Sequence, residues 1–110
     1  MTTHAPTKNT EARGPARPAI AHDLHQMLAE AEAARTRQLE SLPYSSKDPV
    51  TAAYRDSVER ILEDIRAARR RLASGLYGVC AVCGSFIAAE RLRLLRWATS
   101  CARCAEQRHP

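Results

Sequence analysis

The chain has 110 residues, a formal net charge of +5 and only 5% aromatic residues. A single small domain with so few large side chains builds only a thin core, which argues against an enzyme with a deep pocket. The basic excess suits a nucleic acid or an acidic protein surface as partner and does not choose between them. No apolar run approaches the ~18 residues of a membrane span. With no signal peptide recognised, we expect a cytoplasmic protein with reduced thiols and no membrane partner.

The chain is predicted to begin with a disordered segment, residues 1–18. After Met1 this segment has no large apolar side chain that could offset the entropy of ordering. Residues 20–42 then follow a helical period. One face carries Ile20, Leu24, Met27, Ala31 and Ala34. An adjacent stripe carries Leu28, Leu39 and Leu42, so the buried face is predicted to drift along the helix.

Residues 43–49 are predicted to form the turn between two helices. Asp48 followed by Pro49 is typical of a helix start, because Asp caps free N–H groups and Pro fits the first turn. The second helix is expected to end at Gly75, a residue that readily adopts the left-handed conformation of a helix cap. Its apolar seam consists of Tyr54, Val58, Ile61, Ile65, Ala68 and Leu72.

Two helices of similar length joined by a short turn predict an antiparallel hairpin of the coiled-coil type over residues 19–76, with its tip at 43–49. The predicted fold class is mainly α: this hairpin followed by a small four-cysteine zinc finger. A monomer is expected. Dimerisation of two hairpins into a four-helix bundle is the alternative.

Residues 77–106 are predicted to be the zinc finger, with residues 107–110 as a tail. Two pairs of cysteines have the spacing C-x2-C-x17-C-x2-C, which lies within the range of four-cysteine zinc sites. Four protein ligands leave no open position on the metal, so we expect one structural Zn²⁺ rather than a catalytic one. Disulfides or free thiols are the alternative. The predicted ligands are Cys80, Cys83, Cys101 and Cys104.

The segment between the cysteine pairs is predicted to cover the metal site. Phe86 and Ile87 are expected to pack over it, and residues 88–95 to form a short helix. Trp97 either plugs the core of the finger or is an exposed contact residue. Three arginines are predicted to face outward as candidate partner-binding residues: Arg91, Arg93 and Arg96.

The finger resembles the DksA/TraR family of four-cysteine zinc-finger proteins. The resemblance lies in GLYGVCAVCG at residues 75–84 and WATSCARC at residues 97–104, and it weakens before Gly75. It implies a bacterial or phage transcription regulator that binds RNA polymerase directly and does not recognise a DNA sequence. Family members insert the hairpin tip into the secondary channel of the polymerase and alter initiation, some of them together with ppGpp.

The resemblance makes the tip residues Ser46, Lys47 and Asp48 candidate polymerase contacts. Well-studied members carry a tip of the form D-x-x-D-x-A, whereas residues 45–53 read SSKDPVTAA, so Asp48 is the candidate tip acid. Two other functions stay open: a nucleic-acid-binding zinc module that uses the arginines of the finger, and a homodimeric adapter. We expect no enzyme, because no catalytic set or phosphate-binding loop is recognised.

Overall fold

The computed structural model describes residues 18–45 and 47–108. Its helices are α1 (Pro18–Glu40), α2 (Pro49–Ala73), α3 (Ala89–Leu94) and α4 (Ala102–Arg108). These described parts contain no strand, only one isolated antiparallel bridge between Val79 and Phe86. The predicted mainly α class is confirmed. The segment predicted to be disordered lies outside the described residues except for Pro18, and so do Ser46 and the last two residues of the tail.

Helices α1 and α2 pair in antiparallel fashion. Near the turn, Gln38 Nε2 of α1 donates a hydrogen bond to the Tyr54 hydroxyl of α2. Farther from the turn, Glu32 of α1 contacts Arg66 and Arg69 of α2. Lower-numbered residues of α1 therefore pair with higher-numbered residues of α2, so the two helices run in opposite directions. None of the described helices is long and apolar enough to cross a membrane.

Helix α2 begins at the predicted cap. Asp48 Oδ2 accepts hydrogen bonds from the Thr51 backbone N–H at 3.1 Å and from the Thr51 hydroxyl at 2.7 Å. Pro49 occupies the first turn, where its missing N–H costs no hydrogen bond. The Asp48 side chain thus caps the N-terminus of α2, and the prediction of a cap is confirmed.

Helix α2 ends at Ala73, and the chain reverses at Gly75, which has a φ of 77°. The Leu76 N–H donates to the Arg71 carbonyl at 2.7 Å, and the Gly75 N–H to the Leu72 carbonyl at 3.1 Å. This pair of bonds is the Schellman motif, in which a left-handed residue reverses the chain at a helix end. The reversal places Tyr77, two residues later, in the core.

The main core lies at the end of the hairpin farthest from the turn, which we call the base. Its buried residues are Leu28, Ile65, Ala68, Leu72 and Tyr77. Leu92 and Trp97 of the finger pack against this cluster together with side chains of both long helices. Trp97 therefore takes the core role, although it packs on the hairpin and not within the finger alone.

The buried faces of the hairpin differ in detail from the prediction. In α1 the fully buried residue is Leu28, while Met27 is half-buried and Ala34 is exposed. Leu28 belongs to the adjacent stripe, in agreement with the predicted drift of the buried face, and it lies in the cluster on which Leu92 and Trp97 pack. In α2, Leu62 is buried and Tyr54 is 45% exposed, because the finger covers the base and not the region near the turn among the described residues.

Candidate metal centre and partner surfaces

The first cysteine pair forms a tight turn around one sulfur atom. The backbone N–H groups of Val82 and Cys83 point at Cys80 Sγ, at 3.4 and 3.5 Å. The Gly84 N–H closes the turn on the Cys80 carbonyl at 3.0 Å, and Gly84 has a φ of 80°, a value that side chains disfavour. The turn thus aims both thiols of the pair to the same side.

The second pair is carried by the start of α4. Cys101 immediately precedes the helix, and the Ala105 N–H donates to the Cys101 carbonyl at 2.9 Å. A hydrogen bond of 2.7 Å from the Ala81 N–H to the Thr99 carbonyl ties the two pairs together. All four sulfur atoms consequently lie within 4.8 Å of one another.

This geometry fits one tetrahedral zinc ion. Zn–S bonds of ~2.3 Å put the sulfur atoms of a tetrahedral site ~3.8 Å apart, and the sulfurs of Cys83 and Cys101 are 3.9 Å apart. The four thiols are not joined in disulfides. Ile87 packs beside Cys80 and Cys104 as predicted, whereas Phe86 is 42% exposed.

The crowded thiols differ sharply in acidity. Burial acts to raise the pKa of Cys80, but backbone N–H groups of Cys83, Cys101 and Val82 outweigh it and bring that pKa to about 6. The neighbouring Cys101 thiol, with burial and the other two thiols, raises the pKa of Cys104 to about 12. Four adjacent thiolates repel one another, so full ionisation of this set needs a cation. The chemistry of the donor set therefore also fits Zn²⁺.

The three finger arginines occupy different environments. Arg91 is half-buried, and its Nε donates to the Ser100 carbonyl at 3.0 Å, which differs from the predicted outward position. Arg96 is exposed, and its Nη1 lies 2.9 Å from Met27 Sδ of α1. Arg93 is exposed, as expected for a partner-binding residue. The outward basic surface of the finger is therefore smaller than the sequence indicates.

Polar contacts fasten the finger to the hairpin at the base. Arg71 Nη2 of α2 donates to the Val79 carbonyl of the finger at 3.0 Å. Within the finger, the Tyr77 hydroxyl donates to the Arg96 carbonyl at 2.8 Å. The Arg35 guanidinium of α1 lies 6.0 Å from the centre of the Trp97 ring. Sequence reasoning assigned no such role to Arg71 or Tyr77.

Besides the predicted tip residues, Arg55 of α2 also contacts the turn. Lys47 and Asp48 are exposed, as expected of contact residues, while Ser46 lies outside the described residues. Arg55 of α2 reaches back to the turn, where its Nη1 donates to the Pro43 carbonyl at 3.2 Å and its guanidinium lies 5.6 Å from the Tyr44 ring centre. A tyrosine within a polar turn is the signal that sequence reasoning passed over.

Comparison with known proteins identifies the finger. Residues 75–108 match the prokaryotic DksA/TraR C4-type zinc finger. Over 46 residues the chain is 39% identical to an uncharacterized protein of Aquifex aeolicus (strain VF5). That match covers 42% of this chain and 32% of the relative, so the chain spans about a third of the relative's length.

Two solved structures share the fold over most of the chain. One is the RNA polymerase binding protein and transcriptional regulator Dks of Chlamydia trachomatis, with a TM-score of 0.65 and 19% identity, over 84% of this chain and 91% of that one. The other is the DnaK suppressor protein of Agrobacterium tumefaciens C58, with a TM-score of 0.59 and 24% identity, over 78% of this chain and 91% of that one. The C-terminal finger therefore matches the prokaryotic DksA/TraR C4-type zinc finger, and the chain shares the helical hairpin fold of these two proteins.

Proposed function

We propose that this protein is a cytoplasmic transcription regulator that binds RNA polymerase directly and inserts its hairpin tip into the secondary channel to modulate initiation. The observation that carries the proposal is a DksA/TraR-type finger packed into the base of a long hairpin, through Tyr77 and Trp97. The solved relative from Chlamydia trachomatis, described as an RNA polymerase binding protein, supports the choice of partner.

In this proposal the four cysteines bind one structural zinc ion. Four thiolates complete the tetrahedral coordination of the metal and leave no position for a substrate. The ion would hold the two cysteine pairs together, and with them the segment from Ile87 to Trp97 that packs on the hairpin. The metal thus serves the hairpin by fixing its base, and we propose no enzymatic role.

The dimensions of the molecule suit a probe that enters a narrow opening. Helix α2 has 25 residues and at 1.5 Å per residue is ~37 Å long. The described part of the chain measures 64 × 32 × 20 Å along its principal axes. The finger and the tip lie at opposite ends of the hairpin, so the tip can enter a channel while the finger stays at its rim.

A nucleic-acid-binding module is less well supported because several arginines already have internal partners. Arg66 and Arg69 pair with Glu32. Arg91 bonds the finger backbone. A phosphate-binding surface needs cations that are available to neutralise phosphates, and its affinity falls steeply with salt. We propose a monomer without sequence-specific DNA binding, which sedimentation and salt-dependent DNA titration would test.

Site-specific crosslinking to bacterial RNA polymerase tests the proposed function. A photoreactive residue in place of exposed Lys47 should label segments that line the secondary channel. The matched control places the photoreactive residue at exposed Ala73, next to the finger. This variant should label only the outer rim of the channel. A chain that does not bind the polymerase, or a tip that labels no channel segment, would contradict the proposal.

A further inference from the structure

We propose that the tip carries a recognition site for a cationic side chain of the partner, formed by the open face of the Tyr44 ring and the carboxylate of Asp56. Arg55 acts as the positioning residue that holds the ring in place. The identity of the partner as RNA polymerase rests on the proposed function. The chemistry of the site rests on the contacts of the tip itself.

An ion pair with Glu59 of the same helix holds the Arg55 side chain that contacts the turn. Its Nε lies 3.3 Å from Glu59 Oε2, one helical turn farther along α2, and its side chain is only 21% exposed. The same guanidinium donates to the Pro43 carbonyl and lies against the Tyr44 ring. Helix α2 therefore fixes both the backbone and the aromatic ring of the turn through one side chain.

Tyr44 is held by these contacts and yet displayed to solvent. It is 89% exposed although Arg55 lies against its ring. A cation over an aromatic face is attracted by the negative charge of the π system. A tyrosine that is already positioned also loses little conformational entropy when a partner binds. An exposed, prearranged ring at the end of a hairpin is thus suited to receive a second cation.

The charges beside Tyr44 favour a cation as the occupant. A depression of about 290 Å³ between the turn and the start of α2 is lined by Tyr44, Thr51, Arg55, Asp56 and Glu59. Its lining includes two carboxylates and one guanidinium, and Glu59 is the carboxylate that pairs with Arg55. Exposed Asp56 supplies the second negative charge. An arginine or lysine side chain complements this combination of ring and carboxylate.

Asp48, the candidate polymerase contact that the sequence indicates, also has a structural role at the tip. One carboxylate oxygen of Asp48 accepts both the backbone and the hydroxyl hydrogen bond of Thr51. Its role at the tip is to start α2, which places Arg55 and Asp56 two turns later on the same helix. We assign recognition of the cationic side chain to the carboxylate of Asp56, an exposed residue of α2.

Substitutions at the tip of this protein, assayed for their effect on transcription by the polymerase, distinguish the possible occupants of the site. Tyr44→Phe keeps the ring and should leave the effect on transcription unchanged. Tyr44→Leu keeps apolar area but has no π face, and Asp56→Asn keeps shape but no charge. We expect each of these two variants to need about fivefold more protein for half the effect, within the range of a cation–π contact. Full activity of Tyr44→Leu would indicate an apolar pocket and overturn the proposal.

A titration without polymerase tests the site independently of the proposed function. The probe is acetyl-Gly-Arg-Gly-amide, and the control is the same peptide with uncharged citrulline in place of arginine. NMR signals of the Tyr44 ring and of Asp56 should shift with the arginine peptide in the wild type, and the signals of Asp56 should not shift in Tyr44→Leu. Equal shifts with citrulline would overturn the proposal. Shifts with arginine in a chain that does not bind polymerase would leave the site standing and remove the proposed function.

Discussion

The base and the tip of the hairpin are built by different means. At the base, Leu28 and Ile65 have no exposed surface, and the finger closes over them. At the tip, Tyr44 and Val50 are 89% and 76% exposed, and directional contacts such as those of Asp48 and Arg55 hold the chain. Apolar burial supplies stability where the molecule is thick. Hydrogen bonds and ring contacts define shape where both helices must stay accessible to a partner.

Of the changes considered, removal of the metal should alter the base most while leaving the tip unchanged. Zinc binding supplies on the order of 10 kcal/mol in small zinc modules, and the finger itself buries little besides Cys80, Ile87 and Cys104. A chelator with a reductant should therefore unfold the finger and uncover the base, while the tip keeps its amide protection. Hydrogen exchange with and without chelator measures this. Unchanged protection of residues 77–105 in zinc-free protein would show that the metal is not structural.

Truncation in the base should cost far more stability than truncation at the tip. Ile65→Ala leaves a cavity in the cluster formed with Leu28 and Leu72, and we expect a loss of about 2–5 kcal/mol. The matched variant Val50→Ala removes an exposed side chain and should change stability by less than about 0.5 kcal/mol. Urea unfolding of the zinc-loaded protein compares the two. Similar losses for both variants would refute the contrast.

Loss of the helix cap should destabilise the tip by an intermediate amount. Asp48→Ala removes the acceptor for Thr51 and should cost about 1 kcal/mol, whereas Asp48→Asn retains capping and should be near neutral. Thermal unfolding should show a decrease of about 4–8 °C for the alanine variant. If the asparagine variant unfolds as early as the alanine variant, the charge of Asp48 contributes more than its hydrogen bonds.

The smallest effect concerns the pH dependence of the ion pairs between the helices. Hydrogen bonds from Arg69 and then Arg66 hold the pKa of Glu32 below its ordinary value of 4.5. A carboxyl whose pKa is lower in the folded state stabilises the fold above its unfolded pKa, and this stabilisation is lost as the pH falls through the folded pKa. For a partly exposed pair it amounts to less than about 1 kcal/mol. Glu32→Gln should lose less stability than wild type between pH 7 and pH 3; equal losses would show that Glu32 does not contribute.

Local features of this fold were predictable from the sequence. The cap at Asp48, the left-handed Gly75 and the spacing of the cysteine pairs each depend on residues within a few positions of one another. Helical periodicity was sufficient to predict two long helices. Local chemistry also defines the candidate metal centre, since each C-x2-C pair forms its own turn or helix start.

Contacts between distant segments were not predictable in the same way. The contact of Arg96 with Met27 joins residues 69 positions apart, and no periodic pattern relates them. The packing of Leu92 and Trp97 on the base also joins segments that are far apart in the sequence. At the tip, the contact of Arg55 with Tyr44 spans a turn whose geometry periodicity does not describe.

The shared core at the base limits how such proteins can be recombined. Residues 75–108 form a recognisable module in sequence, yet Tyr77 and Trp97 of that module complete a core whose other walls come from α1 and α2. A chimera that exchanges fingers at Gly75 therefore separates side chains that pack together, and it must carry matching substitutions at Leu24 and Leu28. A graft of a new turn between Glu40 and Asp48 crosses no such packing. Exchange of tips is the easier route by which one scaffold could acquire a different target.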